Sequence, residues 1–421
     1  MLITSPRRRL TAALTCAVLA LSACAGAGSD TDESGTAATE PAVKTSPKGE
    51  DSQKDAGEGT DTEQAADREE GDHHAAPAVD PKPLRKGETR QALQMTEPYT
   101  PSAPYGSGND DYRCFLLDPE LDEPAWLTGT HVLPGNPDVV HHVILFEVPP
   151  SKVTEAEQMD AVEEGPGWTC FGGTGLEPVG QVNDASWLGA WAPGGEESVS
   201  KPGLGKRLAP GTRIVMQVHY NLLAGGGDDV SSTLLRLAPG RARLQNLHTM
   251  LLPGPVELPC RPRHRVGALC DRETALADVK ERFGGKAGAT ADLLYVLCGG
   301  APRAAATQSC TRGVPEDITI HGVAGHMHLL GRSISIEVHP GTDRARTILD
   351  IPLWDFDDQA ARPIEPVSLK AFDQIKVTCR HDQSLRDRLP AFETQREDRY
   401  VLWGEGSTDE MCLGMLQVTH P

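Results

Sequence analysis

The chain has 421 residues with 60 acidic and 40 basic side chains, which gives a formal net charge of −20, and 38% of its residues are hydrophobic. This length is sufficient for two or more ordinary domains. The acidic balance argues against nucleic acid as a partner, because phosphate binding needs clustered Lys and Arg. Residues 25–80 alone hold 15 acidic and 4 basic side chains, a net charge of −11, so much of the acidity belongs to one segment.

The N-terminus has the pattern of an export signal. Three arginines at positions 7–9 precede an apolar run from Leu10 to Leu21, which is too short for a permanent membrane span. The small residues before Cys24 resemble a bacterial lipobox, so residues 1–24 are predicted to be a lipoprotein signal peptide and Cys24 the acylated first residue of the mature chain. An ordinary signal peptide and twin-arginine export remain alternatives.

Residues 25–104 are predicted to be a disordered acidic linker. Between positions 25 and 80 there is no aromatic residue and almost no large apolar one. Such a segment cannot bury enough apolar surface to offset the entropy of ordering the chain. The predicted membrane contact of the protein is therefore the lipid anchor at the start of this linker.

The remaining chain consists of short, β-branched apolar segments separated by Pro and Gly, such as "VVHHVILFEV", "RIVMQVHYNLL", "SISIEV" and "QIKVTC". This pattern predicts an all-β fold of antiparallel sandwich or barrel type. One amphipathic helix is predicted over residues 271–284, with Gly284 as its stop, as a disulfide-stapled insertion between Cys270 and Cys298. Histidine clusters in both halves predict two domains, over residues 105–242 and 243–421.

Eight of the ten cysteines lie outside the signal and lipobox. In an exported chain an even number of cysteines without any CxxC pair predicts up to four disulfides, and a zinc–thiolate cluster is the weaker alternative. The eight are Cys114, Cys170, Cys260, Cys270, Cys298, Cys310, Cys379 and Cys412.

The first histidine cluster is split between two predicted strands. His141 and His142 are adjacent, and adjacent residues of a regular strand point to opposite faces. They can share one metal ion only if a bulge or strand end turns one ring, or if they bind through different ring nitrogens. His219 lies in "RIVMQVHYN", with Gln217 on the same face, and would supply a third imidazole.

The second cluster is the "HMH" of residues 326–328. His326 and His328 are two apart, so both rings lie on one face of a strand while Met327 points away. A third ligand must come from elsewhere, and "STDEMC" offers Met411, whose soft thioether favours copper over zinc. His321 is predicted to have a structural, hydrogen-bonding role.

Four segments, "HHVILF", "MQVHY", "HMHLLGR" and "DEMC", occur here in the same order as in the ascorbate-dependent type II copper monooxygenases. The chain resembles this family, which includes peptidylglycine α-hydroxylating monooxygenase and dopamine β-monooxygenase, from about Tyr112 to Val418. The resemblance implies two tandem antiparallel β-sandwich domains of jelly-roll type. It also implies two coppers per chain, ascorbate or an equivalent reductant as co-substrate, and hydroxylation of a substrate C–H bond by O₂.

The resemblance also implies a role for individual residues. His141, His142 and His219 would bind the electron-supplying copper, and His326, His328 and Met411 the oxygen-activating, catalytic copper. Gln217 would support the first ligand set. Disulfides would join Cys114 to Cys170 and Cys379 to Cys412, whereas the pairing of the other four cysteines stays open.

Three positions depart from the peptidylglycine enzymes. Where those enzymes carry Arg, Asn and Tyr to hold a peptide carboxylate, this chain has Ala324, Leu413 and Met415. We therefore expect a small, neutral or hydrophobic substrate instead of a glycine-extended peptide. A non-catalytic copper-storage lipoprotein is the alternative, and a zinc hydrolase is weaker because no HExxH motif occurs and methionine is a poor zinc ligand.

Overall fold

The computed structural model describes residues 80–104, 109–177, 182–223 and 225–421. The predicted signal peptide, Cys24 and most of the predicted linker lie outside these residues. Residues 80–104, which were predicted to belong to the linker, are part of the fold. They are ordered because Thr89–Gln94 pairs with another strand and because the apolar side chains of Leu93 and Met95 are buried in the core.

The first part of the described chain forms two sheets that face each other and are antiparallel except for the parallel pair β8 and β11. The six-stranded sheet has the order β1-β10-β3-β8-β11, with β7 paired to β3, and the five-stranded sheet has the order β5-β2-β9-β4-β6. Leu127 and Leu235 of the first sheet meet Leu145 and Met216 of the second in one core. The strands are β1 (Thr89–Gln94), β2 (Asp110–Leu117), β3 (Ala125–Leu133), β4 (Val140–Val148), β5 (Trp168–Thr169), β6 (Trp187–Trp191), β7 (Ser198–Val199), β8 (Leu204–Leu208), β9 (Arg213–Asn221), β10 (Ser232–Pro239) and β11 (Gln245–Asn246).

The rest of the chain forms a second sandwich. Its four-stranded sheets have the orders β12-β21-β15-β18 and β14-β19-β16-β17, and β13 pairs with β20 at one side. Leu252, Ile320 and Leu416 of one sheet pack on Ile336 and Val377 of the other. The strands are β12 (His248–Pro253), β13 (Glu257–Leu258), β14 (Thr307–Gly313), β15 (Ile318–His326), β16 (Gly331–Val338), β17 (Arg346–Ile351), β18 (Arg362–Leu369), β19 (Gln374–His381), β20 (Val401–Leu402) and β21 (Leu413–Thr419).

The described residues contain two α-helices, α1 (Val153–Val162) and α2 (Arg272–Cys298). Helix α1 was not predicted from the sequence. Helix α2 begins where predicted but does not end at Gly284, which instead forms a break with φ 81° and ψ 170° before the helix resumes. Short 3₁₀ turns cover Pro150–Lys152, Pro262–His264, Ala268–Cys270, Gln383–Asp387 and Pro390–Phe392.

The eight cysteines form four disulfides. Cys114–Cys170 and Cys379–Cys412 confirm the pairs implied by the resemblance. The pairing that the sequence left open is Cys260–Cys270 and Cys298–Cys310, so a disulfide lies near each end of α2. Four disulfides indicate an extracytoplasmic or secreted protein. Among the described residues, no helix is long and apolar enough to span a membrane.

Candidate metal centre

The structure brings His141, His142 and His219 together on the second sheet of the first sandwich. The strands β4 and β9 pair with a register shift between Val140 and His142, which marks a bulge at His141. An extra residue in one strand breaks the alternation of faces. Both neighbouring rings can therefore reach the ring of His219 on the next strand.

The three rings converge through the same nitrogen. The His142 Nδ1 lies 3.1 Å from the His141 Nδ1 and 3.2 Å from the His219 Nδ1. A metal ion bound about 2.0–2.1 Å from each nitrogen at tetrahedral angles would separate the nitrogens by about 3.3 Å. Both measured distances are close to this value, so the three nitrogens can bind one ion. All three residues are buried.

The β2 strand holds the ring of His219 in place. The Nε2 of His219 lies 2.8 Å from the Asp110 carboxylate, which can only accept a hydrogen bond when ionised, so the Nδ1 is left free as a ligand atom. The phenol ring of Tyr112, two residues further on, stacks on the imidazole with 4.1 Å between centroids. Burial lowers the pKa of His219, against the opposing effect of Asp110, and favours the neutral ring that metals bind.

Gln217 does not contact the histidines through its amide nitrogen. Its Nε2 donates to the carbonyl oxygens of Cys170, at 3.1 Å, and Gly173, at 3.4 Å. Gln217 therefore fastens the disulfide loop that follows Cys170 to strand β9. Its predicted support of the ligands therefore stays a prediction, and the bonds of its amide nitrogen go to the backbone of this loop.

His326 and His328 lie at the end of β15, on the side of the second sandwich that faces the first. Their ring centroids are 5.1 Å apart, and Met327 between them is fully buried in the core. The ring of His326 also lies 5.8 Å from the ring of His142. The imidazoles of the two predicted ligand sets therefore meet in one cluster of five rings, four of them buried and His326 partly exposed.

Two glutamine contacts select the free nitrogen of His326. The Gln359 Nε2 donates to the Phe356 carbonyl at 2.7 Å, which fixes the amide so that its Oε1 faces the His326 Nδ1 at 2.5 Å. Because that oxygen only accepts, the Nδ1 carries the proton and the Nε2 is free. Burial lowers the pKa of His326 to about 4, so the ring is neutral near pH 7.

His328 is a buried residue whose two ring nitrogens accept or donate no hydrogen bond within the described part of the chain. The residue is 1% exposed. Burial, followed by repulsion from the protonated form of His326, lowers the pKa of His328 well below its usual value. A buried neutral imidazole with two unsatisfied nitrogens is costly unless something binds it.

The Glu410 carboxylate connects the backbone of Met411 with that of His328. Strands β15 and β21 pair as far as His326 opposite Leu413, and both His328 and Met411 lie just beyond these paired residues. The buried Glu410 carboxylate joins the two segments, since it accepts hydrogen bonds from the amides of His328, at 3.0 Å, and Leu330, at 2.5 Å. The same carboxylate accepts a hydrogen bond from the Met411 amide at 3.2 Å, so Glu410 holds together the backbone segments that carry His328 and Met411.

Several residues of this centre were missed by the sequence analysis. Glu410 lies inside the quoted DEMC segment, but nothing in the pattern assigned it a role. Phe356 stacks on His141 with 4.2 Å between centroids, and the His381 Nε2 lies 3.3 Å from the Glu410 carboxylate. These contacts join distant segments, so no local pattern could reveal them. His321 lies 2.9 Å from the Thr419 hydroxyl, within hydrogen-bonding distance, in agreement with the structural role predicted for it.

The comparisons with known proteins do not identify a family. No family model matches the chain, and no curated protein matches it. Among solved structures, the VP2 subviral particle of infectious bursal disease virus is 9% identical, covering 82% of this chain and 75% of that chain at a TM-score of 0.18. The tandem CBM22-1–CBM22-2 domain of Paenibacillus barcinonensis Xyn10C is 10% identical, covering 80% and 93% at a TM-score of 0.15. These likenesses are too weak to carry an argument about this chain.

Proposed function

We propose that this protein is a copper-dependent monooxygenase that hydroxylates a C–H bond of a small organic substrate with O₂ and an ascorbate-type reductant. The observation that carries the proposal is the meeting of a three-imidazole set with His326 and His328, whose backbone is joined to that of Met411 by Glu410. Imidazoles suit both Cu(I) and Cu(II), and a thioether favours Cu(I). Three imidazoles can also bind zinc, but a thioether is not among the usual zinc ligands, so Met411 is the residue that favours copper.

The ligand roles follow from the free nitrogens. His141, His142 and His219 would hold the first ion through their Nδ1 atoms. His326, through its Nε2, would hold the second together with His328 and Met411. Copper in these sites would supply one-electron transfer and the activation of O₂, and the burial of the cluster would keep bulk water from the reaction.

The residues beside His326 support an apolar substrate. Ala324 pairs with Met415, and His326 pairs with Leu413, so these side chains share one face of adjacent strands with the ligand. Three uncharged side chains offer no cation to a carboxylate. We therefore propose a neutral or hydrophobic small molecule as the substrate.

The location is part of the same proposal. The protein would be anchored at the extracytoplasmic face of the bacterial cell membrane through acylated Cys24. Replacing Cys24 with Ser should move the protein from the membrane fraction to the soluble one. If the variant stays with the membrane, the anchor is elsewhere.

The experiment that tests the function is anaerobic Cu(I) loading followed by an ascorbate-driven oxidation screen. We expect two coppers per chain and substrate-dependent O₂ consumption. Protein that remains copper-free after loading would overturn the proposal.

A Met411→Leu variant tests the second site, because it removes the sulfur and conserves the side-chain volume. Loss of a residue that hydrogen-bonds to a metal ligand lowers metal affinity by about 10–100-fold. Loss of a ligand itself should therefore lower the copper affinity of the second site by about 10-fold or more and leave that of the first site unchanged. Met250→Leu, a buried methionine of β12, is the matched control. Equal loss at both sites would instead favour a copper-storage role.

A further inference from the structure

We infer that Asp110 is a positioning residue that couples the two proposed copper sites across the boundary between the sandwiches. The inference rests on the proposed function, because it concerns how this chain holds those two ligand sets. Asp110 is the first residue of β2 in the first sandwich, and its side chain is 11% exposed. No motif in the sequence singled it out.

The Asp110 carboxylate has one hydrogen-bond partner in each of the two sandwiches. Its Oδ1 lies 2.8 Å from the Nε2 of His219, a proposed ligand of the first copper. The same Oδ1 accepts a hydrogen bond from the Ser407 hydroxyl at 2.7 Å, and Oδ2 accepts from the Ser407 amide at 3.2 Å. Ser407 belongs to the second sandwich and is fully buried.

The Ser407 contact matters because of where its loop leads. Ser407 lies between β20 and β21, three residues before Glu410 and four before Met411. Its carbonyl oxygen accepts a hydrogen bond from the Leu329 amide at 3.4 Å, in the turn that follows the second histidine pair. A displacement of Ser407 would therefore be passed to both the methionine and the histidine ends of the second site.

The first site depends on the same carboxylate in a different way. A carboxylate that accepts from the second nitrogen of a metal-bound imidazole fixes its tautomer and orientation and raises its basicity. Tyr112 strengthens the connection, since its ring stacks on His219 and its hydroxyl donates to the Glu405 carbonyl of the same loop at 3.0 Å. Strand β2 is therefore the common support of His219 and of the loop that ends at Met411.

Two variants separate the two roles. Asp110→Asn keeps the shape but removes the charge, so it should lower the Cu(I) affinity of the first site by about 10–100-fold in competition with a chromogenic Cu(I) chelator and also weaken the second site through Ser407. Ser407→Ala leaves the Asp110–His219 contact in place, so it should leave the first site's affinity unchanged and weaken the second. Asp110→Glu, which retains the carboxylate, should recover part of the loss.

A second readout needs no metal. Hydrogen exchange of the metal-free protein should become faster in the loop of residues 404–411 in both Asp110→Asn and Ser407→Ala. Asp184→Asn is the matched control, because Asp184 also pairs with a histidine, His248, at 3.0 Å but lies outside the ligand sets. The control should change neither the copper affinity of the sites nor the exchange of this loop.

The outcomes distinguish this inference from the proposed function. If the wild-type protein binds no copper, the function fails, and the exchange experiment still tests whether Asp110 holds the loop. If copper binds but Asp110→Asn keeps wild-type affinity at both sites and wild-type exchange in the loop, the inference is wrong and the function stands. A change at the first site alone also overturns the coupling, because the loop would then be independent of Asp110.

Discussion

Buried carboxylates of the loop between β20 and β21 illustrate how single residues build the centre. Glu410 accepts hydrogen bonds from the amides of His328 and Met411, and Asp409 accepts two from Arg282, at 2.6 and 2.7 Å. Glu405 differs from Asp409, because no basic side chain contributes to the shift of its pKa. Burial and the nearby charge of Asp409 raise the pKa of Glu405 to about 7, although Trp403 opposes the shift.

The raised pKa of Glu405 predicts a pH-dependent contribution to stability. The native carboxyl keeps its proton up to about pH 7, whereas the unfolded one loses it near 4.5, so its contribution is complete below pH 4.5 and is lost as the pH rises through 7. The difference corresponds to at most about 3 kcal/mol. Glu405→Gln should therefore be more stable than the wild type at pH 8 but not at pH 4.5.

The measurement is urea unfolding of both proteins at the two pH values. Comparing the two proteins at each pH cancels the opposite contribution of the buried histidines, which the variant retains. Glu393→Gln, at an exposed position, is the control and should show no such difference. An equal stability difference between Glu405→Gln and the wild type at both pH values would contradict the prediction.

Helix α2 contacts the loop between β20 and β21. Asp271 caps its start by accepting from the Thr274 amide at 3.0 Å, and Arg282, two residues before the break at Gly284, forms an ion pair with Asp409. The ring of Phe283 lies 5.1 Å from that of Phe171 in the first sandwich. The helix thus contacts both the Asp409 loop and the opposite sandwich.

Removal of the Arg282 cation should loosen this loop. Arg282→Gln leaves the buried Asp409 carboxylate with less compensation, and breaking a buried ion pair costs about 3–5 kcal/mol. Because Arg282 is itself 28% exposed, we expect the lower part of that range in the free energy of unfolding. Hydrogen exchange in residues 404–411 should also accelerate.

The control for Arg282 is Arg344→Gln. Arg344 pairs with Asp373 while 68% exposed, and such surface pairs contribute about 0–1 kcal/mol. Urea unfolding of both variants gives the comparison. Similar small losses in the two variants would mean that α2 does not hold the loop.

On the scale of the whole molecule, polar contacts join the two sandwiches at several points. The Lys201 ammonium donates to the Ile364 carbonyl at 2.6 Å, and Arg312 donates to the Asn183 side chain at 2.8 Å. The contacts of Asp110 and Tyr112 with the loop between β20 and β21 join the sandwiches at further points. Trp187 of the first sandwich also packs against the second core.

These contacts predict that the described part of the chain unfolds as one cooperative unit. Separation would expose to water the apolar side chains that pack across the boundary, such as Trp187, so a sandwich that loses its neighbour becomes less stable. With the disulfides intact, tryptophan fluorescence and far-ultraviolet circular dichroism should follow the same urea transition. Two separated transitions would show that the sandwiches unfold independently.

Strand composition, cysteine count and the ordered histidine segments were sufficient to predict an all-β sandwich fold with disulfides and to select the candidate ligands. These properties depend on side-chain type and short-range periodicity, which the sequence displays directly. The extent of α2 and the strand at residues 89–94 were not predictable in the same way. A helix can resume after a glycine, and a short polar strand gains its stability from its partner β10.

The amino-acid sequence by itself determined which side chains could act as ligands, because imidazole and thioether chemistry is a property of single residues. Only the tertiary structure decided that a bulge brings the rings of His141 and His142 together and that the imidazoles of both predicted sets meet in one cluster. It also decided that the ring of His328 has no hydrogen-bond partner among the described residues. It also revealed Asp110, whose two partners are 109 and 297 residues away along the chain. Contacts of that separation depend on how the sheets pack, and no local pattern encodes them.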